Sequence, residues 1–287
     1  MTETLQVILQ GRWLGAPLLD RAAALCGATI QRRPQPGVAC LEGFDAPPPV
    51  RVRERLQAAA EAARVDVAFV AGKPRLADFG LAVMDMDSTL ITIECIDEIA
   101  DLQGLKPEVS AITAAAMRGE IDYPESLRRR VALLRGLPVE SLERVYEERL
   151  RLSPGAESLL AGFRAAGLST LLVSGGFTFF TERLKTRLGL DRARANTLGI
   201  ADGRLTGTVE GEIVDAGVKR DELLATARTL GVDAQRCIAI GDGANDLAMM
   251  GAAGLSVAYR AKPVVRARAT HAISHNGLDA ILNLFTG

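Results

Sequence analysis

Residues 81–91 read LAVMDMDSTLI: four apolar or small residues, then Asp85 and Asp87 two apart, then Ser88 and Thr89 before the chain turns apolar again. A short apolar run bounded by polar residues is the pattern of a strand buried in a parallel sheet, and in open α/β sheets ligands bind beyond the carboxyl ends of the strands. The two acids therefore fall where a ligand would. Residues two apart on an extended backbone point to the same side. Like charges that close are unfavourable unless a cation lies between them or one carries a proton, so the pair calls for a metal or for acid/base chemistry. An Asp-rich turn after a strand has the same local sequence, and only the rest of the chain separates the two readings.

The totals narrow the class. A chain of 287 residues with 48% hydrophobic and 24% charged residues has the composition of a soluble globular protein of one large domain or two ordinary ones. A net charge of -1 offers no basic field for nucleic acid, and the arginines at 51–55 and 128–130 are short clusters that suit solvated helix faces. No apolar window is long enough to span a bilayer, and MTETLQVILQGR lacks the order of a signal peptide, so a cytoplasmic location is expected. Cys26, Cys40, Cys95 and Cys237 are scattered without metal-site spacing and fit reduced thiols. His271 and His275 would suit a metal pair only on a helix, and AISHNG is a poor helix. No GxSxG elbow accompanies them, which sets a nucleophilic serine aside.

Read in order, residues 4–11 predict a strand, LGAPLLDRAAALCGA a helix, 29–33 and 37–44 two strands, VRERLQAAAEAARV a helix after a break at 45–49, and VDVAFVAG a last strand. This β-α-β-β-α-β order predicts a small ferredoxin-like α+β domain over 1–78, similar to the ACT-type regulatory modules, with no ligand implied by its residues. A larger α/β unit follows over 79–287. After the strand at 81–84, residues 92–151 show helical spacing, with Pro107, Pro124 and Pro138 where helices could begin, and predict an inserted helical cap. Strand-helix alternation then resumes through LSTLLVSGG, a hairpin flap at ADGRLTG, a helix from Lys219, RCIAIGDGAND, LSVAY and a closing helix, GLDAILNLF. The predicted core is a Rossmann-type parallel sheet.

Four sites recur at the predicted strand tips or beside them: Asp85–Thr89, Ser174-Gly175-Gly176, Lys219, and Gly241–Asp246 with its GDGAND sequence. A phosphate site needs hydroxyl and N–H donors, a cation and oxygen ligands for a magnesium ion, and these four sites supply each. Each is weak alone; their order is the signal. The series DMDSTLITIECIDEIA, SLRRRVALLRGLP, VSGGF and IGDGANDLAMM resembles the haloacid dehalogenase-like phosphatases over roughly 80–285, and among them the branch that hydrolyses phosphoserine in the last step of serine biosynthesis.

The resemblance implies roles. Asp85 would be the nucleophile that takes the phosphoryl group, and Asp87 the acid that protonates the leaving oxygen and then activates water. Magnesium would be held by Asp85, the backbone carbonyl of Asp87, and Asp242. Ser174, the Gly175 N–H and Lys219 would hold the phosphate, with Asn245 and Asp246 steadying the site. Glu94 and Arg130 would meet the substrate's ammonium and carboxylate, arginine being the better carboxylate partner because it binds through two donors. Read without the resemblance, Glu94 would cap a helix and Arg130 would lie on a wet face. The same machinery could act on another small phosphomonoester, such as phosphohomoserine, and a homodimer is allowed but not required.

Overall fold

The computed structural model describes residues 5–44 and 46–286. The expected first strand residue Thr4 and the expected break at Asp45 lie outside the described residues.

Alternation in β1 (Leu5–Gln10) divides the first sheet between two partners. Val7 and Leu9 point to one side and pack with Ala39 and Leu41 of β3 (Val38–Glu42) against Leu19 of α1 (Ala16–Cys26) and Leu56 of α2 (Val50–Ala62). Ile8, Val38 and, from β4 (Asp66–Ala71), Ala68 and Val70 join a different cluster that includes Ile281 and Leu284 near the C-terminus. With β2 (Ile30–Gln35) at the edge, the strand order β2-β3-β1-β4 and its antiparallel pairings make the ferredoxin-like arrangement.

The second sheet has the order β11-β10-β9-β5-β6-β7-β8. β5 (Leu81–Met84) lies at its centre, almost wholly excluded from water, as its unbroken apolar run requires. It runs parallel to β6 (Ser169–Phe177) and β9 (Cys237–Gly241), with Met84 opposite both Leu172 and Ile240. The tips of three strands, and the residues that follow them, are thereby brought side by side.

Between β5 and β6 the chain makes α3 (Cys95–Asp101), α4 (Lys106–Met117), α5 (Tyr123–Ala132) and α6 (Glu140–Arg144), then α7 (Ala156–Ala165). The stems of this insertion are stitched together: Thr92 N–H donates to the Arg151 carbonyl at 3.0 Å and Ser153 N–H to that of Leu90 at 2.9 Å. α8 (Thr178–Leu188) leads into the antiparallel pair β7 (Arg192–Ala201) and β8 (Arg204–Glu210), which turns at Asp202 and Gly203, both with positive φ, as an Asp-Gly hairpin does. α9 (Ala216–Leu230), α10 (Leu247–Ala252), β10 (Leu255–Tyr259), the short α11 (Pro263–Arg266) and β11 (His271–Ile273) complete the order.

His271 lies in a strand at the edge of the sheet beside β10, in keeping with AISHNG being a poor helix. One detail differs from expectation. The closing segment Leu278–Leu284 is a 3₁₀ helix, with Leu278, Ile281 and Leu284 buried at a three-residue period that a three-per-turn helix keeps on one face. The four cysteines are free.

The two sheets are joined by a buried carboxylate as well as by apolar packing. Asp66 accepts the N–H groups of Ser274 (2.7 Å), His275 (3.1 Å) and Asn276 (3.1 Å), and the Asn276 side-chain amide at 2.7 Å. Removing it orphans several part-buried donors, each costing about 1–3 kcal/mol if unsatisfied. Asp66→Ala should lower stability by about 3 kcal/mol, or about 6–12 °C in Tm, with both sheets melting in one calorimetric transition. A wild-type endotherm already resolved into two independent transitions would refute the joint.

Candidate active site

Beyond Met84 the backbone stays extended for one more residue, and Asp85 N–H continues the ladder to the Ile240 carbonyl at 3.0 Å. This sets the Asp85 carboxylate, 5% exposed, at the sheet's carboxyl edge, where its Oδ1 accepts Met86 N–H at 2.7 Å. Lys219 reaches it from the first turns of α9, a helix capped by Asp215, whose side chain accepts Val218 N–H at 2.9 Å. Lys219 Nζ lies 2.8 Å from Asp85 and 2.8 Å from Asp246 Oδ1, and neither Lys219 nor Asp246 is exposed at all.

The remaining oxygen of Asp246 accepts the N–H groups of Asp242 (3.2 Å) and Gly243 (3.0 Å). Gly241 must be glycine here, because a Cβ would overlap the Asp246 carboxylate. Burial alone would lower the Lys219 ammonium, but the Asp85 and Asp246 carboxylates hold it protonated above its ordinary value. Asp85 is raised by burial, with Lys219 opposing and Asp246 adding to the rise.

The loop after Asp85 turns back on itself, Ile91 N–H reaching the Met86 carbonyl at 3.0 Å, with Ser88 in the left-handed region at φ 55°. That turn aims Asp87 into the same space. Cys95 N–H donates weakly to Asp87 Oδ1 at 3.4 Å, while loss of water and then the nearby Glu94 push its carboxyl up to about 7. Glu94 occupies the N-cap position of α3 without capping it; its side chain accepts the Ser88 hydroxyl at 2.7 Å instead. Thr89 donates to Asp242 Oδ1 at 3.2 Å, and burial, then Asp246 and Glu94, push Asp242 up to about 6.

At the third tip, Ser174 is fully buried and its Oγ accepts Gly176 N–H at 2.9 Å, so its own proton is free to point elsewhere. The Gly175 carbonyl accepts both the Asn196 side-chain amide at 2.7 Å and the Tyr123 hydroxyl at 3.2 Å.

One cavity of about 480 Å³ unites these groups: Asp85, Asp87, Ser174, Gly175, Asp242 and Asn245 line it from the sheet edge, Glu94 and Arg130 from the insertion. α5 carries Tyr123, Ser126, Leu127 and Arg130 at spacings of three, four and seven, and all four line the cavity. Arg128 and Arg129 are exposed and Arg130 is half-buried, which separates it from the wet face. Lys219 does not line the cavity and lies behind Asp85. A more voluminous groove of about 620 Å³ beside α8 brings together Glu143, Glu182 and Arg183 but none of these carboxylates. Asp85, Asp242 and Asp246 can bring oxygens within 4.8 Å of one another, a set able to hold a cation. Both Asp246 oxygens are already engaged, whereas the bonds to Asp85 and Asp242 fall on Oδ1 and leave Oδ2 of each for a cation.

Asp97, which also lines the cavity, Tyr123 and Asn196 were not singled out from the sequence, and Thr89 only as part of the Asp85–Thr89 run. Tyr123 and Asp97 had a findable signal, the inward face of the capped helix α5 and the first turn of α3. Asn196 had none, being one polar residue in a strand.

Fold and site together define a class. A model of the haloacid dehalogenase-like hydrolase family matches residues 79–254, and the chain belongs to that family. Within it, a curated phosphoserine phosphatase of a Polaromonas species is 58% identical over 215 residues, spanning 73% of this chain and 91% of that one. A crystal structure of a probable phosphoserine phosphatase from Vibrio cholerae, unliganded, superposes with a TM-score of 0.83 at 38% identity, covering 98% of this chain and 86% of that one. A structure described as a phospho-aspartyl intermediate analogue of phosphoserine phosphatase superposes with a TM-score of 0.68 at 39% identity, covering 75% of this chain and all of that one.

Lys219→Met keeps the buried stem and removes the charge, leaving Asp85 and Asp246 uncompensated. The loss should be about 3–5 kcal/mol at pH 8. Without the ammonium the Asp85 carboxyl, already raised by burial, titrates still further above its unfolded value, so the folded state binds more protons and the deficit shrinks as pH falls toward 5. Equal losses in denaturant melts at both pH values would refute the counter-ion role.

Proposed function

We propose that the protein hydrolyses O-phosphoserine to serine and inorganic phosphate, the last step of serine biosynthesis, in the cytoplasm. The observation that carries this reading is one cavity in which a buried carboxylate backed by a lysine faces the acids Glu94 and Asp97 and the cation Arg130 from the insertion, the complement of a phosphate ester that also bears an ammonium and a carboxylate. No helix among the described residues is long and apolar enough to cross a membrane.

In this reading an Asp85 oxygen attacks phosphorus as the bond from phosphorus to the serine oxygen breaks, leaving an aspartyl-phosphate. Asp87, held near neutrality, gives its proton to the departing serine oxygen. It then takes a proton from water, whose oxygen attacks phosphorus, releasing phosphate and restoring the Asp85 carboxylate. The Ser174 hydroxyl and the Gly175 N–H orient phosphate oxygens, Lys219 offsets charge from behind Asp85, and Asn245 borders the phosphate. Arg130 pairs with the substrate carboxylate and Glu94 with its ammonium.

A divalent cation fits the donor set. Asp85, Asp242 and the Asp87 backbone carbonyl are hard oxygen donors, and Asp242, raised first by burial and then by Asp246 and Glu94, is a carboxyl whose charged form a cation would favour. Magnesium, when bound, would neutralise phosphoryl charge and polarise the phosphorus.

Asp85→Asn preserves shape but lacks the attacking anion, so turnover should fall by about three orders of magnitude or more with Tm nearly unchanged. A well-folded, active variant would rule out the covalent route. Substrate choice is tested separately: Arg130→Ala should lower kcat/KM for phosphoserine about thirtyfold or more and hardly alter that for phosphoethanolamine, which has no carboxylate. Glu94→Gln should discriminate by the amine instead. Equal losses on both substrates would assign these side chains to folding and leave a phosphatase of unspecified substrate.

A further inference from the structure

We infer that the Tyr123 hydroxyl is a latch that ties the helical insertion to the phosphate-side loop, making Tyr123 a positioning residue for the reaction. Tyr123 begins α5, and Pro124 and the Asp122 cap, which accepts Glu125 N–H at 2.8 Å, fix where that helix starts. Its hydroxyl crosses from the insertion to the Gly175 carbonyl at 3.2 Å. The other acceptor site of that carbonyl takes the amide of Asn196, itself wholly buried and fixed by Val214 N–H on its Oδ1 at 2.8 Å. One oxygen is thus held from the core by Asn196 and from the insertion by Tyr123.

The consequence lies in the same peptide unit. The carbonyl of Gly175 and the N–H of Gly176 share a plane, and that N–H donates to Ser174 Oγ at 2.9 Å. Fixing the carbonyl fixes the N–H, which fixes the lone pair that Ser174 uses and leaves its proton for the cavity. Seating the insertion and aligning the Ser174 donor are therefore one event. Gly175 has room for no side chain because a Cβ would strike the Tyr123 hydroxyl, with the ring carbon behind it at 3.3 Å.

The inference deepens the phosphoserine reading and rests on it only for its kinetic arm. Tyr123→Phe retains the ring and removes the latch. In the free protein, amides of α5 should exchange about fivefold faster in hydrogen-exchange mass spectrometry while β5 and β9 stay unchanged, the size expected for one hydrogen bond. Gly175→Ala should also speed exchange in α5, and adding Tyr123→Phe to it should relieve that effect, because the hydroxyl is what the new methyl meets. In assays, Tyr123→Phe should lower kcat/KM for phosphoserine about fivefold and that for p-nitrophenyl phosphate, which needs the Ser174 donor but has no ammonium or carboxylate for Glu94 and Arg130, about twofold; an unchanged p-nitrophenyl phosphate value overturns the link to Ser174. Unchanged exchange in α5, or a double variant no better than Gly175→Ala, overturns the latch. Equal kinetic losses on both substrates overturn its link to the insertion. A wild type without phosphoserine turnover would refute the function proposed above while the exchange arm still reads the latch.

Discussion

Two carboxylates and one ammonium, sealed from water at the carboxyl edge of the second sheet, set the terms for everything around them. Taking three charges out of water is costly, and their mutual attraction compensates only when geometry is close and every remaining lone pair finds a donor. The surroundings comply. Lys219 stands 2.8 Å from each acid, and the second Asp246 oxygen takes two backbone N–H groups from the loop after β9. The glycine at 241 is required so that this loop can close on the acid. The cluster is held in an order that exposes only Asp85 to the cavity, so the one carboxylate that a substrate can reach is also the one with a cation behind it.

The insertion supplies what the sheet edge lacks. Strand tips offer donors and acids suited to a phosphate but nothing that distinguishes one ester from another. Arg130 and Glu94 enter from the opposite wall, and their charges are of the two signs that an amino-acid ester presents. Because the stems of the insertion are bonded to each other beside β5, and α5 touches the loop after β6 through Tyr123, the selective wall is referenced to the reactive one at two points.

The first sheet is less a tethered module than a part of the body. Its outer face packs with residues from the C-terminal 3₁₀ helix, and Asp66 captures three successive N–H groups of the segment after β11. This junction lies next to α11, whose Arg266 Nη1 donates to Ser274 Oγ at 3.4 Å. Lys262, immediately before α11, lines the active cavity.

How much of this was legible in the residues depends on the range over which each signal acts. The buried strand at 81–84, the Asp-Gly hairpin at 202–203, the helices opened by Pro107 and Pro124 and the β-α-β-β-α-β order are local: hydropathy period, turn chemistry and caps act within a few residues, and the chain carries them in plain order. The acids, hydroxyl, glycines and lysine of the site were legible as a series of motifs because each sits at an element end. Sequence alone could not say that Lys219 would lie hidden behind Asp85, that Tyr123 and Asn196 would converge on one carbonyl from 52 and 21 residues away, or which partner each face of the first sheet would cover. Those outcomes were decided by the tertiary structure. They depend on strand order and on how the insertion is seated, and a contact closed across tens of residues leaves no periodic trace in the chain that makes it.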